Sequence, residues 1–166
     1  MNSSFYFDLK LLSDYWFGHK YHHTASSSLF YALHEALTVI EEEGLDNRFR
    51  RIETNYRAFV AGVEGMGLRL KVAAPHRLPP LNTVRVPEGV SEAAVRQRLL
   101  EEWGIEVAGG FGPLAGEVFR IGVMGAGSTR ENVLFLLKAF QATLEAEGFR
   151  PEADGPTEAE VFYARQ

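Results

Sequence analysis

Apolar positions along this chain change period twice, and the changes divide it into segments. From Ser27 the residues Leu29, Phe30, Leu33, Leu37 and Ile40 recur at helical spacing on one face. Ser26 to Ser28 offer N-caps, and Gly44 stops the helix. A second helix starts at about Asp46 with Phe49, Ile52, Tyr56, Phe59, Val60 and Val63 on its stripe, and Gly65 and Gly67 end it. After Gly67 the pattern turns strand-like over Leu68 to Val72. A proline-rich link follows (Pro75, Pro79, Pro80), then a strand over Thr83 to Val86. Ser91 predicts the cap of a helix running through Trp103, with Val95, Leu99 and Trp103 buried. Ile105 to Val107 and Val118 to Val123 read as short strands, and Thr129 caps a last helix carrying Val133, Leu136, Leu137, Phe140 and Leu144, with Gly148 beyond it.

The order from residue 68 to 147 is therefore strand, strand, helix, strand, strand, helix. That order predicts a small α+β unit, a sheet with helices packed on one face. The aromatic-rich segment from Phe5 to Phe17 opens the chain with no strand or turn leading in. It either packs inside a larger body or caps this chain's own core. Residues 151–166, with Pro151, Gly155, Pro156 and several acids, read as a tail whose Val161-Phe162-Tyr163 triplet could dock.

Composition narrows the class. The 166 residues are 46% apolar and contain no cysteine, so disulfides and thiolate chemistry are excluded and stability must come from packing. The net charge of −5 is spread out, with Glu41-Glu42-Glu43 the one acidic run, and no clustered basic surface marks a nucleic-acid partner. No apolar run approaches the roughly 20 residues of a membrane span, and neither end carries a targeting signal. A cytoplasmic location is the expectation.

Two places could carry chemistry. Tyr21-His22-His23-Thr24 places two hydroxyls just before the start of a helix, where backbone donors and the dipole favour an anion. Three histidines within five positions (His19, His22, His23) raise a metal reading, but adjacent imidazoles diverge and no acid stands at ligand spacing, so no metal is expected. His22 and His23 are expected to position the loop while Tyr21 and Thr24 face the ligand. The second place is the glycine-rich Gly109-Gly110-Phe111-Gly112-Pro113 followed by Val118-Phe119-Arg120-Ile121-Gly122. Arg120 lies in a run that otherwise reads as buried strand, where an unpaired guanidinium is costly. It meets either the carboxylate of an amino- or keto-acid substrate or one of the chain's own acids.

Phe5-Tyr6-Phe7-Asp8, Tyr21-His22-His23-Thr24, Gly109-Gly110-Phe111-Gly112-Pro113, Phe119-Arg120-Ile121-Gly122 and Thr129-Arg130-Glu131-Asn132-Val133 together resemble, in order, segments of the class V aminotransferases of the alanine–glyoxylate (serine–pyruvate) type. The resemblance spans about residues 5 to 147 and concerns the C-terminal part of those proteins. It implies the C-terminal portion of an α/β fold-type-I pyridoxal-phosphate transferase: residues 1–44 from the end of the large domain, 45–150 the small domain, and 151–166 a tail. It further implies an amino group moved from alanine or serine to glyoxylate or pyruvate. Tyr21 and Thr24 would bind the phosphate of pyridoxal 5'-phosphate across a homodimer interface, and Arg120 would hold the substrate α-carboxylate.

The family also requires a Schiff-base lysine after a segment such as Ser-Gln-Lys, and an Asp on the pyridinium nitrogen. Lys10, Lys20, Lys71 and Lys138 are the only lysines, and none has that setting. The chain by itself is thus expected to be inactive, with no catalytic residue of its own. It is expected to act as a homodimer or together with a missing N-terminal half. A different class of function is a standalone carboxylate-binding or interaction module that keeps Arg120.

Overall fold

The computed structural model describes residues 4–166. It divides into two compact units, one up to Gly44 and one from Leu45 to Gln166.

The first unit holds two helices, α1 (Leu9–Gly18) and α2 (Ser27–Glu43). Asp8 caps α1, its carboxylate accepting from the amides of Lys10 and Leu11. His19 ends it in the left-handed region at φ 55°, and its amide returns to the Asp14 carbonyl. Ser26 takes the N-cap position of α2, and Gly44, at φ 77°, stops that helix. Neither helix contains a buried residue: Leu29, Phe30, Leu33 and Leu37 are all more than half exposed. The periodic stripe of α2 is real, but within this unit nothing covers it.

The second unit has its own core. Helix α3 (Leu45–Gly65) buries Ala58, Phe59 and Val63. Strand β1 (Leu81–Arg85), helix α4 (Glu92–Trp103), strands β2 (Ala108–Gly109) and β3 (Val118–Gly122), and helices α5 (Arg130–Ala146) and α6 (Gly155–Tyr163) follow. The sheet is antiparallel in the order β1-β3-β2, with Thr83 and Ala108 both opposite Arg120. Alternation sorts its faces. Val84, Phe119 and Ile121 turn inward and are essentially inaccessible, with Phe119 edge-on to Phe140 of α5 at 5.2 Å. Arg120 and Gly122 occupy the other face. Ser91 and Thr129 cap α4 and α5 through the amides of Ala94 and Asn132, as their positions in the sequence predict.

Three elements depart from the sequence reading. The stretch expected as a strand at Leu68 to Val72 makes only an isolated bridge, Leu70 to Val84, supported by the Lys71 amide on Thr83 and the Arg85 amide on Arg69. The strand expected at Ile105 to Val107 lies at Ala108–Gly109 instead. Ile105 is still occupied in closing α4, its amide donating to Leu99. Residues 155–163, within the presumed tail, form α6. Asp154 caps it by accepting from the Thr157 amide, and Ala159 is fully buried. α6 lies close against α3: a methyl group placed on Gly62 would come within 2.8 Å of the Gly155 carbonyl oxygen.

Candidate functional site

Tyr21 and Thr24 stand in the extended segment between α1 and α2. Their hydroxyls are 2.7 Å apart, and the Tyr21 side chain is 72% exposed. At that distance the two hydroxyls are hydrogen-bonded to each other, one donating and one accepting; exchanging that bond for two to a single oxyanion frees both hydroxyls to donate to it. The loop behind them is stacked rather than hydrogen-bonded. His22 is buried, tilted against Phe5 at 4.5 Å; His23 packs between Tyr6 at 4.6 Å and Tyr15 at 5.6 Å. His22 Nε2 makes one long contact, 3.5 Å, to the Tyr6 carbonyl, and His23 Nδ1 is enclosed without a hydrogen-bond partner. The sequence predicts that these imidazoles position the loop through their nitrogens; in the structure both rings lie against aromatic neighbours and, among the described residues, only His22 makes a hydrogen-bond contact, the long one to Tyr6. Among the described residues no three His, Asp or Glu side chains gather where a metal could sit.

Arg120 belongs to the second unit. It is half-buried in the middle of β3, and its Nε–H donates to the Gly109 carbonyl at 2.6 Å. The ring of Phe111 lies against the guanidinium, 4.0 Å from Cζ to the ring centroid. No carboxylate among the described residues pairs with it, so the alternative of an internal salt bridge is not what the structure shows. The chain's ion pairs on this side are elsewhere: Glu92, buried at the start of α4, is held by Arg96. An arginine with its Nε satisfied, one face covered and its terminal nitrogens unclaimed is arranged for a planar anion.

The glycines in the preceding loop have steric reasons. A Cβ on Gly109 would collide with the Glu92 carboxylate, and one on Gly110 with the backbone carbonyl of Leu114. Gly112 sits at φ 50°, a left-handed conformation that glycine adopts freely. The loop then closes on itself, with the Leu114 amide on the Phe111 carbonyl at 2.9 Å and the Ala115 amide on Gly112 at 3.1 Å. The pairing of β2 with β3, which sets Ala108 opposite Arg120, brings the Gly109 carbonyl to the Arg120 side chain. The contact of Phe111 with the guanidinium is the element that sequence reasoning missed. Its signal was an apolar ring between two glycines, in a loop where little else could be buried.

The residues after Arg120 are held from behind. Arg51 Nη1 donates to the carbonyls of Gly125 (3.1 Å) and Ser128 (2.6 Å), and Asn55 Nδ2 to the Ser128 carbonyl at 2.7 Å. Tyr163 donates to Asn55 Oδ1 at 2.6 Å. Burial pushes the Tyr163 hydroxyl up to about 12, with the nearby charge of Arg130 opposing and that of Glu131 adding.

No family model matches the chain. It is 43% identical over 143 residues to the (S)-ureidoglycine–glyoxylate transaminase of Bacillus subtilis, a match covering 86% of this chain and 34% of that protein. It is 40% identical over 149 residues to the alanine–glyoxylate aminotransferase of Callithrix jacchus, covering 86% and 36% respectively. The crystal structure of the ureidoglycine–glyoxylate aminotransferase from Bacillus subtilis matches with a TM-score of 0.85 at 39% identity, over 98% of this chain and 42% of that one. The chain thus spans about a third of the length of the curated relatives it matches. With the five sequence segments in family order and the fold in agreement, the chain belongs to the class V aminotransferases of the alanine–glyoxylate type and corresponds to the C-terminal portion of their fold.

Proposed function

We propose that this chain supplies two grips of a pyridoxal-phosphate aminotransferase that moves an amino group from alanine or serine to glyoxylate or pyruvate. Tyr21 and Thr24 take the cofactor phosphate, in the active site of a partner subunit of a homodimer, and Arg120 takes the α-carboxylate of the amino or keto acid. Residues 1–44 serve as the end of the large domain and 45–150 as the small domain, in a cytoplasmic enzyme.

The observation that carries this reading is Arg120: a cation in mid-strand with its Nε–H satisfied and no anion of its own. The paired hydroxyls of Tyr21 and Thr24 fit a phosphate. Bound pyridoxal phosphate would supply the electron sink for moving the amino group. This chain's residues hold and orient: Arg120 fixes the carboxylate end of the substrate in the plane of its guanidinium, and Tyr21 and Thr24 donate to phosphate oxygens. None of the four lysines has the setting of the cofactor's lysine, so the 166 residues on their own do not transfer amino groups. Incubation with pyridoxal phosphate, followed by borohydride and peptide mapping, tests this. No lysine adduct is expected, and a stoichiometric adduct at Lys20 overturns that expectation.

A second reading is favoured by the separate core of residues 45–166, on which Arg120 stands: a carboxylate-binding module acting without the cofactor. Calorimetry with glyoxylate, pyruvate and serine distinguishes it. A module binds one of these and loses it in Arg120→Ala, whereas a grip that works only in the full active site shows no heat with either protein.

A further inference from the structure

Phe111 is 73% exposed, yet its ring has a defined partner, the guanidinium of Arg120. Its backbone is nevertheless closely constrained. Gly110 leaves no room for a side chain, Gly112 turns the chain through a left-handed conformation, and the Leu114 amide closes the turn on the Phe111 carbonyl. The ring so presented lies over Arg120 at 4.0 Å. From the other direction the Gly109 carbonyl takes the Nε–H at 2.6 Å.

Resting on the reading of Arg120 as the carboxylate grip, we propose that Phe111 is a positioning residue for substrate binding: its ring clamps one face of the guanidinium while Gly109 holds Nε, so that a carboxylate is received edge-on by the terminal nitrogens. Three physical effects follow. The electron-rich ring face stabilises the cation, and it keeps water from that face. It also removes rotamers that the long arginine side chain would otherwise populate, so less order is lost when the ligand binds. With one face closed, the in-plane bidentate approach is the geometry that remains, which favours small carboxylates over anions that need to sit above the plane. The clamp is local to the loop 109–114 and β3, so both halves of it lie in one folded unit.

The test uses the full 166-residue chain labelled with nitrogen-15, following the Arg120 Nε–H signal. In the unmodified protein this proton exchanges slowly with water. In Phe111→Leu the backbone spectrum is retained, exchange at Arg120 accelerates, and the affinity for glyoxylate, titrated against the same signal, falls about tenfold. Phe111→Trp keeps both properties, because a larger ring face performs the same task. The clamp is overturned if Phe111→Leu leaves exchange and affinity unchanged, or if Phe111→Trp is impaired as much as Phe111→Leu. If glyoxylate and acetate leave the Arg120 signal of the unmodified protein unmoved although its Nε–H is protected, this chain alone does not take a carboxylate, as a grip that works only in the full active site would not; the exchange rates of the unmodified protein, Phe111→Leu and Phe111→Trp then decide the clamp by themselves.

Discussion

The Tyr163 hydroxyl donates a 2.6 Å hydrogen bond to Asn55 Oδ1, joining the last helix to the middle of α3. Asn55 passes the connection on, its amide donating to the Ser128 carbonyl in the loop that follows β3. The C-terminal helix therefore helps to hold the backbone that continues from the Arg120 strand.

Burial of the Tyr163 hydroxyl gives stability a dependence on alkaline pH. The Tyr163 hydroxyl titrates at about 12 in the folded chain and near 10 when unfolded. Between those values the unfolded chain has released a proton that the folded chain keeps, so stability falls as pH rises through the window. Urea midpoints from pH 9 to 12 are expected to decline, and to decline less in Tyr163→Phe. An equal slope in the two proteins would mean that other groups dominate there. At pH 7 the same substitution is expected to cost about 1 kcal/mol through the lost hydrogen bond, with Asn55 Oδ1 left to find water.

Gly62 is the point where α3 admits α5 and α6. A Cβ there would lie 2.5 Å from Leu137 Cδ1 and 2.8 Å from the Gly155 carbonyl oxygen. Leu137 can rotate, but the backbone oxygen can move only with the start of α6. Gly62→Ala is expected to destabilise the second unit by about 1–3 kcal/mol, measured as a shift in denaturant midpoint. An unchanged midpoint would show that α6 yields freely.

Asp154 tests whether α6 is held by its own cap. Its carboxylate accepts from the Thr157 amide at 2.9 Å, and the hydrogen bonds from Thr157 hold it below the usual aspartate range. The associated stability is present above the unfolded-chain value of 3.8 and is lost as pH falls through the lower folded value. Asp154→Ala is expected to cost about 1 kcal/mol near neutral pH. The difference from the unmodified chain should narrow in acid; thermal unfolding at pH 7 and pH 3 measures both.

Arg120→Lys separates geometry from charge. Lysine keeps the positive charge but has neither the Nε–H that meets Gly109 nor a planar fork. Under the carboxylate-module reading, glyoxylate binding is expected to be lost in Arg120→Lys nearly as fully as in Arg120→Ala. Near-normal binding by the lysine variant would point to a simple charge effect.

What could be read along the chain were the features set by neighbours in sequence. Ser91 and Thr129 cap helices because a hydroxyl three residues ahead of an amide can satisfy it, whatever lies beyond. Arg120 stood out because a guanidinium in an apolar run is costly, and the hydroxyls of the Tyr21 loop stood out by type and by their place before a helix.

Other features needed the third dimension. Residues 151–166 looked like a tail because two prolines and a glycine interrupt the pattern. Pro156 in fact falls in the first turn of α6, where proline is tolerated, and the groove along α3 supplies the partner that makes so short a helix worth forming. The shift of β2 to Ala108–Gly109 has the same character, since strand limits depend on the register set by β3. The sequence by itself determined helices α2 to α5 and the hydroxyl caps of α4 and α5, because those follow from local periodicity and local hydrogen-bonding chemistry. Tertiary structure alone decided that Gly109 and Phe111 meet Arg120, because a strand pairing and a loop closure bring together residues nine and eleven positions apart.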